Sequence, residues 1–228
     1  MLEREPLVET ICQKLYLRSP ALRPAILALA APPGRGKSSA LMYLAQSGRL
    51  LKTADRLKDR EPSAEVLYRS LHGKHLISVT TSFNGRMTSG TDKLPLVQEA
   101  AIRLLYRFVM QSVSSHSLGS FSYFYGGTSL SLGKFHAICR CDAEDRQLKP
   151  FFVIDLIRAD AANKLGCPVA DVSVLWLVDD ALKLCNGDIA ELRTLLTEVI
   201  KCQNDSVDQI SLSRWCYVIL STRSLAQL

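Results

Sequence analysis

Apolar runs without a helical stripe alternate along this chain with segments whose apolar positions recur at helical spacing. "AILALAA" at 25–31 is bounded by prolines and predicts a strand buried on both faces. "HLISVTTSF" at 75–83 is rich in β-branched residues and predicts a second strand. "VSVLWLVDDA" at 172–181 is another apolar run, this one ending in two acids, and "WCYVILSTRS" predicts a last buried strand over 216–221 with a polar tip.

Between these runs the period changes. Residues 6–18 set Leu7, Ile11 and Leu15 on one helical face, and Ser19–Pro24 breaks it. A helix is expected from Lys37 to about Leu51, with Leu41, Leu44 and Ala45 on one stripe, followed by a charged helix-and-loop region over 52–73. The strongest helical pattern is 94–111, where Val97, Ala101, Leu104, Leu105 and Phe108 share a face. Residues 150–166 predict a helix stopped by Gly166 and Pro168, and "DIAELRTLLTEVIKC" predicts one more. Ser112–Gly133, rich in Ser, Gly and aromatics, reads as a loop or irregular insertion and is expected to be the most mobile part. Strands alternating with helices predict an α/β fold, a three-layer sandwich around a mostly parallel sheet.

Composition narrows the class. The chain has 228 residues, of which 47% are hydrophobic, enough for one sizeable core and too apolar for intrinsic disorder. The first apolar run is short and ends at Pro32, so no secretory signal or membrane span is recognised. Cys12, Cys139, Cys141, Cys167, Cys185, Cys202 and Cys216 make an odd set without a C-x-x-C pair. That favours a reducing compartment, cytoplasmic or nuclear, over a disulfide scaffold. The net charge of +6 leaves a nucleic-acid partner open without indicating one, because Lys and Arg are interspersed with acids and form no basic run.

The candidate chemistry sits in "AAPPGRGKSS", residues 31–40. The phosphate-cradling pattern G-x-x-x-x-G-K-[ST] places Ala31, Gly36, Lys37 and Ser38 on its fixed positions, with Ala where the first Gly would be. A methyl group there precedes the tight part of the loop and is expected to be tolerated. Pro33, Gly34, Arg35, Gly36, Lys37, Ser38 and Ser39 would line a nucleotide, with Gly34 and Gly36 allowing close backbone approach. Lys37 would reach the β- and γ-phosphates of ATP, and Ser38 would ligate Mg²⁺. The alternative is a plain turn between strand and helix.

Two further places complete the set. Asp179 follows the apolar strand "VLWLV" and is expected in the Mg²⁺ shell, while the adjacent Asp180 is placed to orient or deprotonate an attacking water. The alternative for both acids is a solvated helix cap. Ser221, Thr222 and Arg223 end the last strand, and in a parallel sheet its tip would share an edge with Lys37 and Asp179. Thr222 and Arg223 are therefore candidates to sense the γ-phosphate, against a bland polar strand end.

"APPGRGKSS", "VLWLVDDA" and "YVILSTRS" resemble the Walker A, Walker B and sensor 1 elements of P-loop ATPases. The group is the one that inserts a strand between the Walker A and Walker B strands and includes AAA+ and STAND proteins. "HLISVTTSFNGRM" followed by "AIRLLYRF" is similar to the ATPase modules of Crinkler and retrotransposon-hot-spot proteins, in which a strand ending in Phe-Asn precedes an Arg-Leu-Leu-Tyr helix. The resemblance implies a P-loop NTPase sheet, ATP and Mg²⁺ as ligands, and hydrolysis that drives a conformational switch. It covers about residues 22–224, after an N-terminal helical segment at 1–21, with an insertion expected at about 112–170. A fifth strand and a lid with a further arginine would follow in the family, so the C-terminus reads as truncated. A non-catalytic nucleotide-binding module or a degenerate effector fragment is the rival, and a protein partner, a downstream effector domain and the oligomeric state stay open.

The remaining candidates are weaker. Cys139, Cys141 and His136 form one short cluster without a second ligand pair. Asn84 stands as either a nucleotide neighbour or a turn residue, and Phe121, Tyr123, Phe124 and Tyr125 as either a stacking surface or core cover. His72, His75 and His116 have no Ser or Cys partner to pair with.

Overall fold

A computed structural model describes residues 5–15, 27–30, 32, 34–46, 48–83, 94–113, 135, 148–180, 189–205 and 216–222. Within them run α1 (Glu5–Leu15), β1 (Leu27–Ala30), α2 (Lys37–Ala45), α3 (Arg49–Leu57), α4 (Pro62–Leu71), β2 (His75–Ser82) and α5 (Leu96–Val113). Then come α6 (Pro150–Leu165), β3 (Val172–Asp179), α7 (Ile189–Asp205) and β4 (Cys216–Thr222), with a 3₁₀ turn at Val169–Asp171 before β3. Of the loop expected over 112–133, residues 112–113 end α5 and the rest lies outside the described residues, as do the His136/Cys139/Cys141 cluster, the aromatic loop and His116; of the insertion expected at about 112–170, the described part includes α6.

The strands form one parallel sheet in the order β1-β4-β3-β2. This is the expected α/β fold. The strand that follows last in the chain, β4, lies between β1 and β3. All eight residues of β3 are buried, which is what an unbroken apolar run requires when both faces of a strand are covered.

Alternation of side chains along β3 and β4 divides the core into two layers. Leu175, Leu177, Tyr217 and Ile219 face α1–α4, packing with Ile11, Leu41, Leu44, Leu50 and Leu67. Val174, Trp176, Val178, Val218 and Leu220 face α5, α6 and α7, packing with Leu104, Ile154, Ile157, Leu195 and Val199. The result is three layers, helices on both faces of the sheet. Helix α1 contributes Val8, Ile11, Cys12 and Leu15 to the same core as the sheet, and Arg56 of α3 bridges Glu5 and Glu9 on its outer side. The buried Cys12 thiol is pushed up to about 12, chiefly by burial and then by Glu9.

Two local expectations are corrected. The helix expected over 37–51 ends at Ala45: Gln46 takes extended backbone and Gly48 sits at φ 75, so a new helix starts at Arg49. The apolar stripe continues across the break through Leu50, because both helices cover the same face of the sheet. Strand β1 is not buried on both faces. Leu27, Ala28 and Leu29 are half-buried and Ala30 is exposed, since among the described residues β1 pairs on one side only, with β4.

The connections explain where a ligand can enter. After β1 the chain turns to the face that carries α2, whereas after β3 it turns to the face that carries α7. In open α/β sheets, helices leaving in opposite directions usually open a ligand crevice beyond the carboxyl ends of the strands.

Candidate functional site

Loop 34–38 bridges the end of β1 and the start of α2 at that crevice. Gly34 and Gly36 both have φ 78, while Arg35 between them is outside the positive-φ region. Alternating conformations of this kind turn successive backbone N–H groups toward a common centre, which suits an anion. Helix α2 starts directly from the loop, with Gly36 as N-cap, no side-chain cap bond and no acidic residue in its first turn. Its N-terminal N–H groups and partial positive charge are therefore presented to the crevice. Lys37 Nζ donates to the carbonyl of Pro32 at 3.1 Å, which folds its ammonium back over the loop.

Nothing lies within 4 Å of a Cβ built on Gly36, so its substitution is opposed by backbone conformation and not by space. Gly36→Ala is expected to cost about 1 kcal/mol of stability through the left-handed geometry alone. A drop in the midpoint of urea unfolding checks it.

The two other predicted elements meet the loop. Ser38 Oγ donates to Asp179 Oδ2 at 2.7 Å, and Ser221 Oγ donates to Asp179 Oδ1 at 2.7 Å. Asp179 thus receives one hydroxyl on each carboxylate oxygen and is only 1% exposed. The parity of the strands accounts for this convergence. Asp179 continues the alternation of Leu175 and Leu177, and Ser221 that of Tyr217 and Ile219, all on the face covered by α2, which begins at Lys37 and Ser38. Register agrees: Val178 lies opposite Leu220 and Ser82 opposite Asp179, so the tips of β2, β3 and β4 form one row.

Asp180 ends the row with φ 55 and is 6% exposed, and its N–H donates to Ser221 Oγ at 2.9 Å. Both acids are buried. Of the other predicted residues, Arg35 is exposed and Ser39 is half-buried on the first turn of α2. Thr222 closes β4 opposite Ala30. Ala31, Pro33, Asn84 and Arg223 lie outside the described residues. His72 and His75 lie at the amino end of β2, the far edge of the sheet from Asp179.

No protein-family model and no curated protein matches the chain. One solved structure is similar: the ORC2 protein of Aeropyrum pernix, solved as ADPNP-ADP complexes, with a TM-score of 0.43 and 10% identity. The match covers 100% of this chain and 43% of that one, so this chain spans less than half of that protein's length.

The arginine of the Arg-Leu-Leu-Tyr run, to which the sequence assigned no role, completes the site's frame. Arg103 on α5 is buried, pairs with Glu99 at 2.6 Å and donates to the carbonyl of Ser82 at 3.3 Å. Its guanidinium lies 4.9 Å from the centre of the Phe83 ring, and the Phe83 N–H donates to the Asp179 carbonyl at 3.1 Å. The end of β2 is thereby tied to α5 on one side and to Asp179 on the other. The signal in the sequence was a Glu and an Arg four apart on an otherwise apolar helix.

The donor set also bears on a cation. Ser38 and Asp179 bring a hydroxyl and a carboxylate oxygen to 2.7 Å beside the positive end of α2. These are hard oxygen donors next to a loop whose backbone suits an anion, a donor set that fits Mg²⁺. Among the described residues no group of three or more His, Cys, Asp or Glu could hold a metal by itself, and no helix is long and apolar enough to cross a membrane.

Proposed function

We propose that the chain binds ATP with Mg²⁺ in the crevice at the carboxyl edge of the sheet and hydrolyses it to drive a conformational switch. The observation that carries this reading is the junction of Ser38, Asp179 and Ser221, because it joins the loop, the acidic strand end and the polar tip of β4 at one point. An unrelated strand-to-helix turn has no need of a buried carboxylate that ties it to two other strands. The position of β4 between β1 and β3 is the feature that defines the additional-strand group of P-loop ATPases. This supports membership of that group over a plain α/β turn. The choice of adenine, and the narrower STAND or Crinkler placement, come with the sequence resemblance alone.

In this reading each residue has a separate task. Backbone N–H groups of 34–38 bind the phosphates, and Lys37 exchanges the Pro32 carbonyl for the β- and γ-phosphates. Ser38 and Asp179 would hold Mg²⁺, which would supply charge neutralisation to the phosphates. Asp180 orients the attacking water, while Thr222, which closes β4, and Arg223, next in the sequence, are candidates to sense the γ-phosphate. Aspartate is one methylene shorter than the glutamate common at such a position in the resembling family, so slow turnover is expected.

The test of the hydrolytic half is Asp180→Asn. It is expected to keep ATP affinity within about threefold and to lose at least about 100-fold in phosphate release under single-turnover conditions. Asp180→Glu is expected to preserve the rate or raise it. Equal rates for wild type and Asp180→Asn would assign the water to another group. Binding without turnover in every form would favour the rival, a non-catalytic nucleotide-gated module.

A further inference from the structure

Asp180 occupies a backbone conformation that side chains with a Cβ rarely adopt. Its φ of 55 makes it the non-glycine residue with positive φ among those described. Aspartate enters this region more readily than most residues, yet the region stays unfavourable for it unless surrounding bonds hold it there. Such a bond is present: the buried Asp180 N–H donates to Ser221 Oγ at 2.9 Å.

The orientation of that hydroxyl is itself determined. A serine hydroxyl has one proton to donate, and Ser221 gives it to Asp179 Oδ1 at 2.7 Å. Its lone pairs are left to accept the Asp180 N–H. Ser221 is fully buried, so water cannot replace it as acceptor without rearrangement. One side chain therefore holds the carboxylate of Asp179 and the main chain of Asp180 at once.

We propose that Ser221 is a positioning residue: its hydroxyl holds the left-handed turn at Asp180 and so aims that carboxylate, acting through the main chain and not on the phosphate. The catalytic consequence rests on the nucleotide reading above. The backbone relation does not, so two experiments separate them.

The first is a stability cycle of wild type, Ser221→Ala, Asp180→Gly and the double variant, read as urea midpoints. Glycine at 180 can rotate its N–H toward another acceptor when Ser221 is removed. The midpoint drop caused by Ser221→Ala is expected to be at least twice as large with Asp180 as with Gly at that position. Equal drops in both backgrounds would overturn the proposal, since the serine would then act through packing or Asp179 alone.

The second compares mant-ATP and mant-ADP binding with single-turnover phosphate release. Ser221→Ala is expected to slow release at least 30-fold while leaving the ATP-to-ADP affinity ratio within threefold, and Ser221→Thr, which keeps the hydroxyl, is expected to recover most of the rate. A collapsed affinity ratio would make Ser221 a direct phosphate contact and overturn the proposal, as would an unchanged rate. A wild type that binds neither nucleotide contradicts the proposed function, and the stability cycle then decides on Ser221 by itself.

Discussion

Lys37→Ala is expected to weaken Mg²⁺-ATP binding by about 2 kcal/mol or more, roughly 30-fold in Kd, because a charge-assisted contact to two phosphates is lost. The fold is expected to be indifferent. Lys37 is half-exposed, and its bond to the Pro32 carbonyl is a link at the rim of the loop. The urea midpoint of the variant should therefore match wild type while its titration with a fluorescent ATP analogue shifts. Lys37→Arg is a useful companion: it keeps the charge but replaces a compact ammonium with a planar fork, and an intermediate affinity is expected. Equal affinities for wild type and Lys37→Ala would remove the phosphate-loop assignment.

The largest expected effect on stability lies at Arg103. Replacing it with Met removes the buried guanidinium that pairs with the half-buried Glu99 carboxylate and donates to the Ser82 carbonyl, and such a loss costs about 3 kcal/mol. Unfolding in urea measures it. The double change Arg103→Met with Glu99→Leu is expected to regain most of the loss, because a buried pair is worth little more than an apolar pair of similar size. A single variant as stable as wild type would show that the pair contributes nothing to the β2–α5 junction, and the Ser82 and Phe83 links would lose their role in framing Asp179.

Fold and site differed in how much of them could be read from residues alone. Strands β3 and β4 were legible because central strands of a parallel sheet are covered on both faces and so are written as continuous apolar runs. Strand β1 carries the same kind of run but occupies an edge of the sheet among the described residues, and nothing local in "AILALAA" distinguishes the two situations. The break at Gln46–Gly48 was hidden because Leu50 prolongs the apolar face of Leu41 and Leu44 across two separate helices. Periodicity reports which face is covered, not whether the backbone is continuous.

The site shows the same division. Ser38 and Asp179 were chosen by chemistry and sequence spacing, and the fold brings them to 2.7 Å. At the tip of β4 the choice fell on Thr222 and Arg223, whereas the bond to Asp179 comes from Ser221. A polar run at a strand end does not state which of its members faces the acid. That depends on the register between β3 and β4 and on which face α2 covers, both of which are tertiary facts. Arg103 lies in the quoted Arg-Leu-Leu-Tyr run, but its task was not legible there: its partners, the Ser82 carbonyl and the Phe83 ring, sit at the end of β2 and meet it only when α5 packs onto the sheet.

The most direct test of the nucleotide reading is a crystal structure of the chain grown with Mg²⁺ and ADPNP. The account predicts the triphosphate over residues 34–38, with the Lys37 ammonium moved from the Pro32 carbonyl to the β- and γ-phosphates and Mg²⁺ bound beside Ser38 and Asp179. A nucleotide seated elsewhere, with Lys37 still on Pro32 and Ser38 still donating to Asp179, would contradict it.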